Sequence, residues 1–141
     1  MIGTIKKWKV AMIRFFHQRI NSLYNAIKGW WFVVRTQKNA WFHAIASVVV
    51  IVIGFWLQLD VWEWSAIIIA IAIVWTAEFL NTALEIVVDL ASPDSHPLAR
   101  VGKDVGAAGV LIAAVSAAII GILIMGQSFV EKVQLIFGFV N

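Results

Sequence analysis

The rhythm of apolar and polar positions changes several times along the chain. Between residues 4 and 36, Ile5, Trp8, Met12, Phe15, Leu23, Ile27, Trp30 and Val34 recur at helical spacing. Lys6, Lys9, Arg14, Arg19, Lys28 and Arg35 fall between them. No apolar stretch here is long enough to cross a bilayer, and basic residues interrupt it throughout. The pattern therefore predicts an amphipathic helix on a membrane surface rather than a cleaved signal peptide. Trp41 to Leu59 then carries no Asp, Glu, Lys or Arg over 19 residues. As a helix it reaches about 28 Å, close to the hydrocarbon thickness. A very short turn, Gln58 to Val61, leads into a second span from about Trp62 to Leu90. Ser92, Pro93, Asp94, Ser95, His96 and Pro97 supply turn chemistry. A third uncharged run of 21 residues goes from Val105 to Met125. Near its start, Gly102 and Gly106 are spaced so that helix backbones can approach closely.

The loop charges orient these spans. Asp60 and Glu63 lie in a turn free of Lys and Arg and bracketed by Trp56, Trp62 and Trp64, as at an outer membrane boundary. Ten of the eleven Lys and Arg residues fall on the opposite side, so the N-terminus is expected in the cytoplasm and the C-terminus outside. The fold class expected is an all-α membrane protein, with an N-terminal surface helix and three transmembrane helices. Residues 1–38 form the surface segment, 39–126 the three-span core and 127–141 a C-terminal tail.

Composition agrees and narrows the chemistry. Of 141 residues, 62% are hydrophobic and 13% charged, against roughly 25% charged in soluble domains. There is no cysteine, which removes thiol nucleophiles and Cys-based metal sites. The net charge of +3 has eight of its eleven basic residues before residue 39. That asymmetry indicates attraction to an anionic membrane face, not to nucleic acid.

One stripe breaks the pattern. After the 14 uncharged residues Trp64–Ala77 come Glu78, Asn81, Glu85 and Asp89, at i, i+3, i+7 and i+11. On a helix these lie within about 80° of one another. Acids in a membrane-type helix are costly, so such a stripe is read first as a functional site. Helical rise puts Glu78 near the inner edge of the hydrocarbon and Glu85 about 10 Å further, at headgroup level. That depth disfavours a mid-bilayer proton or ion relay, which is the reading a small proton-coupled transporter requires. Counting from the inner loop places Lys103, Asp104 and His96 in the same region. Carboxylates and an amide suit Mg²⁺, a lysine suits phosphate oxygens, and a partly desolvated glutamate suits a general base. Those are the parts of a phosphoryl-transfer site. No Walker A sequence occurs. The bland reading makes Glu85–Lys103 or Asp89–Arg100 an interhelical ion pair and Asn81 helix–helix glue. His43 and His96 read as interface residues, and Glu78 has no obvious partner at its depth.

The run from Ala77 to Asp89, Ser92-Pro93, His96-Pro97-Leu98, and Lys103-Asp104 with Ala107-Ala108-Gly109-Val110-Leu111 resembles the prokaryotic diacylglycerol kinase family, which includes the undecaprenol kinases of Gram-positive bacteria. The resemblance covers about residues 20–125 and includes Asn39 with His43. It implies a homotrimer in the bacterial inner membrane, with active sites shared between subunits at the cytoplasmic face. ATP and a membrane lipid alcohol, diacylglycerol or undecaprenol, are the implied substrates, with Mg²⁺ as cofactor. Glu78 is similar to the family's catalytic base, Asn81 to a residue orienting the site and Glu85 to a metal ligand. Asp89 and His96 match nucleotide-pocket positions. Lys103 resembles the contact to transferred phosphate, with Asp104 its companion. The family's second metal-binding glutamate, just before the first span, is matched here by Gln37. An amide keeps one oxygen donor but loses a charge, so weaker metal binding is expected. A member weakened in catalysis, serving as a structural or binding protein, is the alternative that this residue raises.

Overall fold

A computed structural model of the chain describes residues 2–94 and 96–138, with side chains from Met12 onward. Ser95 of the expected inner loop, residues 139–141 of the tail and the earliest aromatic and basic side chains lie outside the described residues. All regular structure among the described residues is helical: α1 (Ile2–Thr36), α2 (Lys38–Leu57), α3 (Val61–Ala91) and α4 (Pro97–Phe137). The last three are long and apolar enough to cross a membrane. The expected all-α class with three such helices is therefore observed.

The chain divides into two units at Thr36 and Gln37. The first is α1, in which three aromatic residues each sit one turn before a cation. Arg19 lies 4.9 Å from the ring centre of Phe15, Lys28 4.3 Å from Tyr24 and Arg35 5.1 Å from Trp31. These i, i+4 pairs support an isolated helix while keeping each charge at the polar end of a long stem.

The second unit begins at Gln37, whose extended backbone (φ −98°, ψ 117°) precedes the first turn of α2. The turn from α2 to α3 is fixed by hydrogen bonds. Gln58 takes the left-handed conformation at φ 61°, and Leu59 N–H donates to the Gly54 carbonyl. Asp60 then caps α3: its side chain accepts from Trp62 and Glu63 N–H, while the Glu63 carboxylate accepts from Asp60 N–H at 2.8 Å. The two acids that mark this loop are thus the two halves of a capping box. Asp60→Ala is expected to cost about 1 kcal/mol, read as a lower melting temperature in detergent.

Gly54 packs under Trp64, where a Cβ would come within 2.9 Å of the ring. Leu57, Leu59, Ile67 and Met125 form the apolar core at this end. The most extensive packing is between α3 and α4. Gly106 makes their close approach, since a Cβ there would press on Asn81 and Leu84. Gly102, by contrast, has nothing nearer than Val88 at 4.0 Å, so only one of the two glycines expected at this crossing is needed for it.

At the inner loop, the His96 imidazole caps α4 by accepting from Leu98 N–H at 3.2 Å, with Pro97 in the first turn. The helix continues unbroken past Met125 and Gly126 to Phe137. Its 41 residues reach about 61 Å, twice the hydrocarbon thickness.

Candidate functional site

The buried face of α3 reads Ile67, Ala70, Val74, Glu78, Asn81 and Thr82. Steps of three and four keep one face toward the bundle. That face changes from apolar to polar at Glu78 without leaving the interior. Three elements then bring side chains to it: the start of α2, the stripe of α3 and the first turns of α4.

Glu78 is 1% exposed. The Thr82 hydroxyl donates to its main-chain carbonyl at 2.8 Å, leaving the carboxylate free of that bond. His43 on α2 faces it, with Nε2 3.8 Å from Oε2 of Glu78. Neither of these buried atoms has a hydrogen-bond partner. A buried polar group left unbonded costs about 1–3 kcal/mol, so two facing one another call for an explanation other than stability. The expectation that Glu78 has no partner at its depth is corrected: His43 is there. The signal was present in the chain, because both residues lie about four to five turns from the α2–α3 turn.

Glu85 is the next carboxylate on the stripe and is held by amides. Asn81 Nδ2 donates to its Oε1 at 3.0 Å and Gln37 Nε2 donates to Oε2 at 3.4 Å. Gln37 makes no side-chain bond to the first turn of α2 and spends its amide on Glu85 instead. No cation pairs with Glu85 among the described residues. Lys103 forms its ion pair with Asp89. Of the two interhelical pairs expected, Glu85–Lys103 and Asp89–Arg100, neither is made. The tilt of helical side chains toward the N-terminus explains it: α4 begins at the loop, so Lys103 reaches back by about one turn. Asp104 and His96 are exposed. The structure thus joins Asn81, Glu85 and Gln37 in one cluster, sets Glu78 against His43 further along the same stripe and pairs Asp89 with Lys103, leaving His96 as a helix cap.

Among the described residues no three His, Asp or Glu side chains converge as a ready metal cage. The donor set nonetheless fits a hard cation. Glu85 carries a half-buried negative charge balanced only by neutral amides, and the buried Oδ1 of Asn81 is unpartnered. Mg²⁺ normally takes one or two carboxylates and completes its shell with water and substrate phosphate.

Between α2, α3 and α4 lies a cavity of about 450 Å³, lined by apolar side chains together with His43 and Ser47. Three membrane-length helices enclosing one buried acid, Glu78, and one buried amide, Asn81, define a small integral membrane protein with polar chemistry inside its bundle. Residues 24–125 match the family described as prokaryotic diacylglycerol kinase. The undecaprenol kinase of Bacillus subtilis strain 168 is 41% identical over 111 residues, covering 79% of this chain and 87% of that protein. A diacylglycerol kinase of Synechocystis is 40% identical over 87 residues, or 61% of this chain and half of that protein. The diacylglycerol kinase of Escherichia coli K12 is 34% identical over 85 residues, covering 60% and 70%. The chain belongs to the prokaryotic diacylglycerol kinase family, and so to the membrane lipid kinases.

Proposed function

We propose that this protein transfers the γ-phosphate of MgATP to the hydroxyl of a membrane lipid alcohol, with undecaprenol the first acceptor to test and diacylglycerol the second. The observation that carries this reading is a buried carboxylate, Glu78, whose Oε2 has no hydrogen bond, two turns along one stripe from a carboxylate, Glu85, that lacks a cation. The similarity to the Bacillus undecaprenol kinase over most of both chains supports the choice of acceptor.

In this reading Glu78 takes the proton as the lipid O–H bond breaks. The lipid oxygen bonds to the γ-phosphorus, the β–γ bridging bond breaks and ADP leaves. Glu85, with the amide oxygen of Gln37, would hold the Mg²⁺, which would offset the negative charge of the phosphates. Asn81 orients Glu85. Lys103 contacts the transferred phosphate with Asp104 as its companion, while Asp89 and His96 line the nucleotide pocket. Lys103 then exchanges its contact with Asp89 for phosphate oxygens. Residues 1–38 form the amphipathic surface segment, 39–126 the kinase core and 127–141 a tail. The N-terminus is cytoplasmic in a bacterial inner membrane, and the protein is a homotrimer with shared sites.

The test is transfer of radiolabel from γ-labelled ATP, with Mg²⁺, to undecaprenol or diacylglycerol in mixed micelles. A labelled lipid phosphate is the expected product; no transfer to either lipid in active detergent overturns the reading.

Gln37 gives a further prediction. Gln37→Glu places a second carboxylate against Glu85, where the amide now lies at 3.4 Å. Two adjacent carboxylates attract a divalent cation far more strongly than one. The Mg²⁺ concentration for half-maximal activity is expected to fall by about tenfold, measured by metal titration at saturating ATP. The substitution should also lower stability in EDTA and raise it in Mg²⁺, because the added charge repels Glu85 until a metal bridges them.

A further inference from the structure

We infer that His43 is a positioning residue for Glu78, its Nε2–H holding one carboxylate oxygen so that the other is presented to the lipid hydroxyl. The inference rests on the kinase reading for the identity of that hydroxyl, and on geometry for the rest. His43 Nε2 and Glu78 Oε2 are 3.8 Å apart, with side chains 15% and 1% exposed. Both atoms are buried and both are without a hydrogen-bond partner. Closure by about 1 Å makes a hydrogen bond of ordinary length.

His43 is the residue whose unpartnered buried nitrogen faces this carboxylate. Asn81 spends its amide on Glu85, and Thr82 spends its hydroxyl on a main-chain carbonyl. Where α4 comes closest to the stripe, it offers Gly106, which has no side chain to give. Without His43 the terminal torsion of Glu78 is unconstrained, because carboxylate rotation is soft. A proton acceptor must be held in register with the group it serves, and an error of about 1 Å costs about 10²-fold in rate.

The surroundings also fit a positioning role. Ser47 Oγ donates to the His43 carbonyl at 2.7 Å, and Trp75 Nε1 donates to Ser47 Oγ at 3.3 Å. This links the α2 backbone at His43 to α3, close to Glu78. His43 also lines the apolar cavity between α2, α3 and α4, and is the only titratable residue among the described residues that line it. The imidazole therefore stands between an apolar space and the acid.

The alternative is a tie between helices with no bearing on the reaction. His43→Phe keeps the ring volume and removes the donor, while His43→Gln restores an N–H at nearly the same reach. If His43 positions Glu78, the Phe variant loses about 10²-fold in kcat, with KM for ATP and lipid within about twofold. The Gln variant recovers about tenfold of that loss. A tie alone would lower the melting temperature of both variants and leave kcat of the folded protein near the wild-type value, which overturns the inference.

A second readout does not depend on activity. The ¹⁵N imidazole spectrum of the full-length protein in micelles contains signals from three histidines, and the His43 signal is the one lost in His43→Phe. Glu78→Gln should shift the His43 signal and leave those of His17 and His96 in place. An unmoved His43 signal overturns the inference. Absence of lipid phosphorylation by the wild type overturns the kinase reading instead. That result is distinct from wild-type activity that survives His43→Phe.

Discussion

Glu78→Gln is expected to lower kcat for lipid phosphorylation by about 10²–10⁴-fold, the range a general base contributes. The substitution preserves shape and one carbonyl oxygen but removes the capacity to accept a proton and keep it. Because Glu78 is 1% exposed with an unpartnered oxygen, the variant should not be less stable. A neutral amide is cheaper to bury than a carboxylate, and its oxygen can still face the imidazole N–H. Loss of activity should therefore accompany an equal or higher melting temperature, the usual relation where a site is maintained at the expense of stability. Lipid phosphorylation and melting are measured on one preparation in one detergent. Activity within tenfold of wild type would remove Glu78 from the proton transfer and return it to a packing role.

How much of this was legible in the sequence depended on the range of the interaction. The spans follow from uncharged runs, and the stripe from spacing alone, because helical period is a local property. Asp60 and Glu63 mark the outer loop by their charge, although Asp-x-x-Glu before an apolar run is also the pattern of a capping box. The break at Gln37 had no Pro or Gly to announce it. Its side-chain contact with Glu85, 48 positions away, is a tertiary fact that no local pattern encodes. Residue counting brought Lys103 to the right region and the wrong partner, because it measures Cα height and ignores side-chain tilt. The same counting across the α2–α3 turn places His43 opposite Glu78. A buried acid in one helix is thus best searched for partners at matching depth in both neighbours.

Gly106→Ala is the substitution for which helix propensity and packing predict opposite signs, which makes it informative. In an isolated helix, alanine gains up to about 1 kcal/mol over glycine. Here the added methyl group points at Asn81 Oδ1 and at Leu84 Cδ2, closer than van der Waals contact allows. Leu84 is partly exposed and can turn away, but Asn81 is buried and its Nδ2 is bonded to Glu85. Moving the amide breaks that bond or forces α3 and α4 apart, at a typical overpacking cost of about 1–3 kcal/mol. Net stability should fall by about 0–2 kcal/mol, the difference of these two terms. Activity should fall much further, by about 10²-fold, because the displaced Asn81 carries Glu85 with it. Raised Mg²⁺ should recover part of that loss if Glu85 is the metal ligand. Gly102→Ala meets nothing nearer than 4.0 Å and should keep or gain stability through helix propensity alone. If both alanine variants behave alike in melting and in Mg²⁺ dependence, the close crossing at Asn81 does not organise the site, and Glu85 is held by Gln37 and its own backbone.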